Sequence, residues 1–206
     1  MQNESFNLLA LWLTQPTPVI KSLQTDTIKI AALALEKEAE NDAFRSFIRN
    51  SDGTRVDQLV QEINAVVEPA IDCTKCGACC KFLMINVTHE EAGNMANHLQ
   101  MPLVAFKRKY IEESLLGHLV VNRMPCHFLA GSECTQYEHR FNECREFPHL
   151  TRQNFKDRMF GTLIHYAMCP IIFNVIEELK LRCGFKTSEN ADDMENSFVP
   201  TIKPSH

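Results

Sequence analysis

Cysteine is the residue type in this chain whose spacing points to chemistry. Four thiols crowd one short segment, at Cys73, Cys76, Cys79 and Cys80, and four more follow at Cys126, Cys134, Cys144 and Cys169. Zinc sites and iron–sulfur clusters both draw several thiolates from distant parts of a chain, so this is the pattern of a ligand set. At 206 residues the chain can build an ordinary hydrophobic core and needs no metal merely because it is small.

The first twenty residues hold only a short apolar run, Leu8 to Leu13, with Glu4 before it and no basic stretch. The sequence therefore predicts neither a signal peptide nor a membrane span, and a cytoplasmic protein. Thiols in that compartment stay reduced, which favours metal or redox chemistry over a disulfide scaffold.

Helix geometry limits how the first cluster can work. Cys73 and Cys80 would lie about 10 Å apart on a continuous helix. Tetrahedral zinc, with bonds of about 2.3 Å, keeps its sulfurs under about 4 Å from one another. The segment must therefore bend, and Gly77 is where the bend is expected, or its cysteines must serve different metal atoms. Cys73-x2-Cys76-x2-Cys79 followed by a remote Cys169-Pro170 is similar to the three-plus-one arrangement of bacterial 4Fe-4S sites, although the remote spacing is much longer. Eight cysteines also divide into two four-thiolate zinc sites, and spacing does not choose between these readings. Adjacent Cys79 and Cys80 point in different directions, which suits two neighbouring metal atoms.

Other residues add less. His127 and His149 are the histidines best placed to join a site, yet the cysteines already suffice; His165 lies in an apolar helical pattern. Arg145 could stabilise a thiolate or bind an anionic substrate, with an ion pair to Glu143, Glu146 or Glu138 as the plainer reading. Tyr137 is similarly ambiguous. Cys183 shares a helix face with Ile172, Val175, Ile176 and Leu179 and reads as a buried apolar residue. The sequence contains no Gly-rich phosphate loop, no nucleophile elbow and no Cys-x3-Cys-x2-Cys motif, so no enzyme class is indicated.

The elements that must position these residues are mainly helical. Residues 27 to 49 read as one helix ended by the Asn50-Ser51-Asp52-Gly53 turn. A second follows, with Val56, Leu59, Val60, Ile63, Val66 and Val67 on one face and Pro69 as its stop. Thr88 and Glu91 form a capping-box pattern, and residues 102 to 113 are expected to be helical. Leu119-Val120-Val121 and the stretches around Cys126 and Cys134, separated by Ala130-Gly131-Ser132, suggest a small hairpin or irregular loop. Residues from about 155 to 168 read as helix, and Pro170 opens a last helix running to Gly184. The expectation is a mainly α protein: an N-terminal helical hairpin over 1–70, a cysteine-rich metal-binding domain over 71–185 with an irregular core and a short β-hairpin, and a flexible polar tail over 186–206.

Charge sharpens this picture. The chain carries a formal net charge of −5, yet residues 73 to 183 hold 13 basic against 11 acidic side chains. A nucleic-acid footprint would need a motif that is missing. Thiolate sites are net negative, and Lys75, Lys81 and Arg145 are the expected offsets.

Taken together, the Cys73-Thr-Lys-Cys76-Gly77-Ala-Cys79-Cys80 segment, Pro125-Cys126-His-Phe128-Leu129, Cys134 with Tyr137-Glu138 and Arg140, and Cys144-Arg145-Glu-Phe147-Pro148 resemble the CxxCxxCC family of zinc- or iron-chelating proteins, the YkgJ-type cysteine-cluster proteins. With Cys169 they supply that family's eight-cysteine pattern, over about residues 73 to 170. One departure is Phe141, where the family usually has Pro, so the local turn is expected to differ. The resemblance implies metal chelation through the eight cysteines, with an iron–sulfur cluster or zinc as cofactor.

Three functions compete. The first is a metal-binding module that holds the fold or transfers electrons, with the N-terminal hairpin as a surface for a protein partner. The second is a small oxidoreductase or protein-modifying enzyme, as suggested by flagellin lysine methylases that look to share the cysteine pattern. The third is a thiol redox sensor or metal chaperone.

Overall fold

The computed structural model describes residues 22–186. The polar tail and the residues read for a leader lie outside the described residues. Within them the chain is mainly helical with a few short strands.

Helix α1 (Thr27–Glu36) starts on Asp26, whose carboxylate accepts the amides of Ile28 and Lys29. The single helix expected over 27 to 49 breaks at Lys37, where the backbone takes φ −97° and ψ 12°, and resumes as α2 (Glu38–Arg49). Lys37 is held there by its own side chain, which pairs with Glu177 at 2.8 Å and Glu40 at 3.2 Å. Helix α3 (Gly53–Val67) is capped by Asp52 and ends in the 3-10 turn Glu68–Ala70, which contains Pro69. Val56, Leu59, Val60, Ile63 and Val67 are buried, whereas Val66, expected on the same face, is 54% exposed. One residue is a 100° step round a helix, and that step carries Val66 off the stripe.

The last two helices of the described chain complete this layer. Far later in the sequence, helix α9 (Phe155–Ile164) packs on both α2 and α3, and α10 (Pro170–Arg182) packs on α3 and α1. Asp57 of α3 accepts the amides of Asn154 and Phe155 at 2.8 Å, so α3 itself caps α9. Pro170 occupies the first turn of α10 and Gly184, at φ 63°, follows its end, as expected. Ile30, Phe44, Ile48, Ile63, Phe155, Ile172, Val175, Ile176 and Leu179 are completely buried in the shared core. Burial of this many apolar side chains is the main stabilising term for the layer.

A second, smaller core lies between the two halves of the first in sequence. Short helices α4 (Cys73–Cys76) and α5 (Ala78–Phe82) lead into β1 (Asn86–Val87), α6 (His89–His98), α7 (Leu103–Tyr110), β2 (Ile111–Glu113) and β3 (Leu119–Val121). Thr88 and Glu91 form the capping box of α6. Residues 111 to 113, expected to be helical, form β2 instead. The turn through Gly117 (φ 80°) folds them back so that Ile111 pairs with Val121 and Glu113 with Leu119, burying Ile111. The antiparallel sheet has the order β1-β3-β2. The expected hairpin follows as β4 (Leu129–Ala130) and β5 (Glu133–Cys134), joined through Gly131, and α8 (Asn142–Glu146) closes the region. Among the described residues, no helix is long and apolar enough to cross a membrane.

A buried ionic network fastens α1, α2 and α10. Lys180, with 6% of its side chain exposed, donates to Glu40 and Glu177 at 2.7 Å each, and the Tyr166 hydroxyl donates to Glu177 at 2.8 Å. Two cations and two carboxylates balance. Burial alone would raise the Glu177 carboxyl, but hydrogen bonds from Lys180 and Lys37 outweigh it and hold the pKa below the ordinary glutamate value. A carboxyl depressed in the folded state stabilises above its unfolded pKa and loses that contribution as pH falls through the folded one. The melting temperature should therefore fall on acidification below about pH 5. Glu177→Gln should melt lower at neutral pH and depend less on pH across that window, as thermal denaturation followed by circular dichroism would show.

Candidate metal centre

The thiols lie against both cores: Cys169 is buried in the larger one, and Cys126, Cys134 and Cys144 pack against the smaller. Asp72 starts α4 by accepting the Thr74 amide at 3.0 Å, and α4 and α5 are separated by Gly77, at φ 61° and ψ 6°. That left-handed residue is the bend expected from the Cys73-to-Cys80 spacing. It also permits a close approach: a Cβ on Gly77 would stand 2.6 Å from the Ser132 carbonyl oxygen. The β4–β5 turn thus lies directly on the cysteine segment and brings Cys134 of β5 against α4. The Cys126 amide donates to the Cys80 carbonyl at 2.8 Å, tying Cys126 to the same segment as well. Helix α8 delivers Cys144 and is fixed to β1 by Glu143, which accepts from the backbone and side-chain amides of Asn86.

The thiols sort into two facing groups. Cys126, Cys134 and Cys144 each lie close enough to Cys80 to repel its thiolate. Cys169 faces Cys73 and Cys76 instead. Cys79 is hydrogen-bonded to Cys80. Cys73, Cys79, Cys80, Cys126, Cys134 and Cys144 line one cavity of about 140 Å³, whose remaining wall includes Ile85, Val121, Phe128 and Phe147. Among the described residues, no three His, Cys, Asp or Glu side chains already stand in metal-coordinating geometry. All nine cysteines are free thiols.

Burial disfavours the charged form of a thiol. It raises Cys73, Cys126 and Cys134, and pushes Cys144 and Cys169 up to about 12. Cys80 is raised furthest, first by its hydrogen bond with Cys79 and then by burial. Backbone amides oppose this. Those of Phe128, Gln136 and the pair Ile171 and Ile172 are turned to favour thiolates at Cys126, Cys134 and Cys169 respectively. Cys169 precedes the first turn of α10, so the positive end of that helix favours an anion there, although no capping hydrogen bond is closed.

The counter-charge is Arg140. It favours the thiolates of Cys73, Cys80 and Cys134, spanning both groups. Its guanidinium lies 3.7 Å from the Tyr137 ring centroid and donates to the Tyr137 carbonyl at 3.0 Å. The sequence expectation had placed this role on Lys75, Lys81 and Arg145, and here it is corrected. Lys75 pairs with Asp72 at 3.2 Å, Lys81 is exposed, and Arg145 donates to the carbonyls of Arg140 and Glu138 at 2.9 Å each. Arg145 therefore shapes the turn that presents Arg140, and pairs with none of the glutamates proposed for it. Tyr137, ambiguous in the sequence, is the platform for Arg140. Only the position of Arg140 after Cys134 hinted at it.

The histidines stand aside from the thiol cavity. His127 bonds Asn122 at 2.7 Å and meets Tyr110 edge-on, His149 lies 3.8 Å from Glu146, and His165 packs on Phe147. Cys183 is buried in the helical core, as its helix face predicted. Phe141 keeps the turn that a proline would make, since its φ of −58° is the value a proline ring enforces, and its side chain packs with Phe128 in the second core.

The donor set fits a thiophilic metal: many cysteines, amides aimed at sulfur, a nearby cation and no carboxylate in the cavity wall except Glu68. Comparison with known proteins agrees. Residues 72–166 match the CxxCxxCC family model, described as a putative zinc- or iron-chelating domain. No curated protein and no solved structure matches the chain. Seven of the eight site cysteines fall inside the matched stretch, and Cys169 falls just beyond it.

Because Gly77 needs a positive φ and faces backbone rather than a flexible side chain, Gly77→Ala should destabilise the protein by about 2 kcal/mol or more. It should also separate the β4–β5 turn from α4 and lower metal retention. Urea denaturation and metal content of the purified variant check both effects.

Proposed function

We propose, from the match of residues 72–166 to a chelating domain, that this protein holds metal in two four-thiolate sites. Cys73, Cys76, Cys79 and Cys169 form one, and Cys80, Cys126, Cys134 and Cys144 the other. The observation that carries the reading is that Cys126, Cys134 and Cys144 lie near Cys80 whereas Cys169 lies near Cys73 and Cys76, with Cys79 assigned to the latter by its Cys-x2-Cys spacing. Metal binding draws each group of sulfurs into its coordination shell.

The first set suits an iron–sulfur cluster, because Cys169 faces the Cys-x2-Cys segment despite its distance in sequence. Such a cluster supplies one-electron transfer when bound. The amides of Ile171 and Ile172 and the Arg140 cation offset its negative charge, and burial shields the Cys169 sulfur from water while Cys73 stays exposed. The second set suits zinc as well as iron, since its four thiols face one another and closed four-thiolate sites are structural. Free thiols throughout support a reducing, cytoplasmic setting. Exposed Ile28 and Leu35 on α1 support a protein partner there.

Iron, zinc and acid-labile sulfide should be measured, with a visible spectrum, on protein purified without oxygen. Brown protein with matching iron and sulfide is expected; colourless protein with zinc alone would leave only the structural reading, and reduced protein without metal would end the proposal. Cys169→Ser should lose the metal of the first set, Cys144→Ser that of the second, and Cys183→Ser none.

Because burial holds thiols such as Cys144 and Cys169 protonated, loading metal should release protons, and apparent affinity should rise with pH. Calorimetric titration of zinc into the reduced, metal-free protein in buffers of different ionisation enthalpy measures that release directly. A buffer-independent heat would contradict it.

A further inference from the structure

A second cleft, of about 530 Å³, lies against the thiol cavity and shares Met95, Arg140, Phe141 and Arg145 with it as a common wall. Its volume is that of a small-molecule site. What such a site would hold follows from which of its polar groups are still free to bind.

Glu91 is committed: one oxygen accepts the Thr88 amide at 2.9 Å and the other the Asn142 amide at 2.6 Å. Arg145 is committed to two carbonyls, at 2.9 Å each. Arg140 is not. It is half-buried, it forms no ion pair among the described residues, and its hydrogen bond to the Tyr137 carbonyl leaves most of its five N–H donors open. Glu90 and Asn94 also line this cleft and not the thiol cavity, both exposed, and Glu90 forms no ion pair among the described residues. A simple anion drawn to Arg140 would be repelled by Glu90 and Glu91, whereas a ligand that also carries an ammonium would gain from them. Charge-assisted hydrogen bonds at both ends would fix its orientation.

We propose that this cleft binds a small amino-acid-like zwitterion, with its carboxylate on Arg140 and its ammonium on Glu90, one side chain away from the thiols. The inference extends the metal-centre reading by giving it a ligand site, and Arg140 is the group through which ligand and metal sense each other.

The test is calorimetric titration of the full-length, metal-analysed protein with L-alanine, beside acetate and ethylammonium as half-ligands. Alanine should bind saturably, and each half-ligand about tenfold more weakly or worse, as expected for loss of one charge-assisted contact. Glu90→Gln, which touches the cleft and not the thiol cavity, should weaken alanine about tenfold with metal content unchanged. Arg140→Gln should abolish binding. The proposal is overturned if alanine does not saturate, if acetate binds as tightly as alanine, or if Glu90→Gln binds like the parent. Repeating the titration on metal-free protein separates the two readings. Alanine binding there, with no metal taken up on reconstitution, would sink the metal centre and leave the ligand site standing.

Discussion

The bare backbone of Gly77 against the Ser132 carbonyl is the contact on which the rest of the cysteine region depends. A positive φ at this residue divides what would be one helix into α4 and α5, so that Cys73 and Cys80 no longer lie two turns apart on one rod. The missing side chain lets the β4–β5 turn settle directly on the break. Cys134 follows from that turn, and Cys126 from the backbone bond to Cys80. One steric allowance therefore gathers thiols from three separate segments. No attractive interaction of comparable reach is found among the surface ion pairs, which are worth little in water.

Much of this was legible in the sequence, for identifiable reasons. Gly77 could be located because metal-ligand distances are short and helix rise is fixed, so Cys73 and Cys80 could share one metal only across a bend. The capping box at Thr88 and Glu91, the Pro170 start and the Gly184 stop are local codes that tertiary packing had no reason to override. The strand at Ile111–Glu113 was not legible, because its pairing with β3 is set by the Gly117 turn and by burial of Ile111. The break at Lys37 escaped for the same reason, since its partner Glu177 lies far along the chain.

The site divides similarly. Cysteine positions are read directly, but which thiol faces which is a property of the two cores, and so is the identity of the counter-charge. Arg145 adjoins a cysteine in sequence and serves the backbone. Arg140, four residues before Cys144, faces three thiols because Tyr137 stacks beneath it and Arg145 holds the carbonyl behind it. Proximity along the chain is a poor guide to electrostatics wherever a tight turn can redirect a long side chain.

Cys169 gives the architecture its further consequence. It is buried in the core built by α1, α2, α3, α9 and α10, whereas Cys126, Cys134 and Cys144 pack against the core of the small sheet. The proposed first site joins Cys169 to Cys73 and Cys76, so metal there would bind the two cores to each other; the second site would bind the sheet region only to itself. Loss of metal from the second would then loosen one core. Loss from the first would release the seam between both, with the buried Cys169 thiol left protonated at the start of α10. Metal binding free energy is folding free energy wherever ligands come from separate parts of a chain. The two sites, though built from the same four-thiolate chemistry, would therefore stabilise different things.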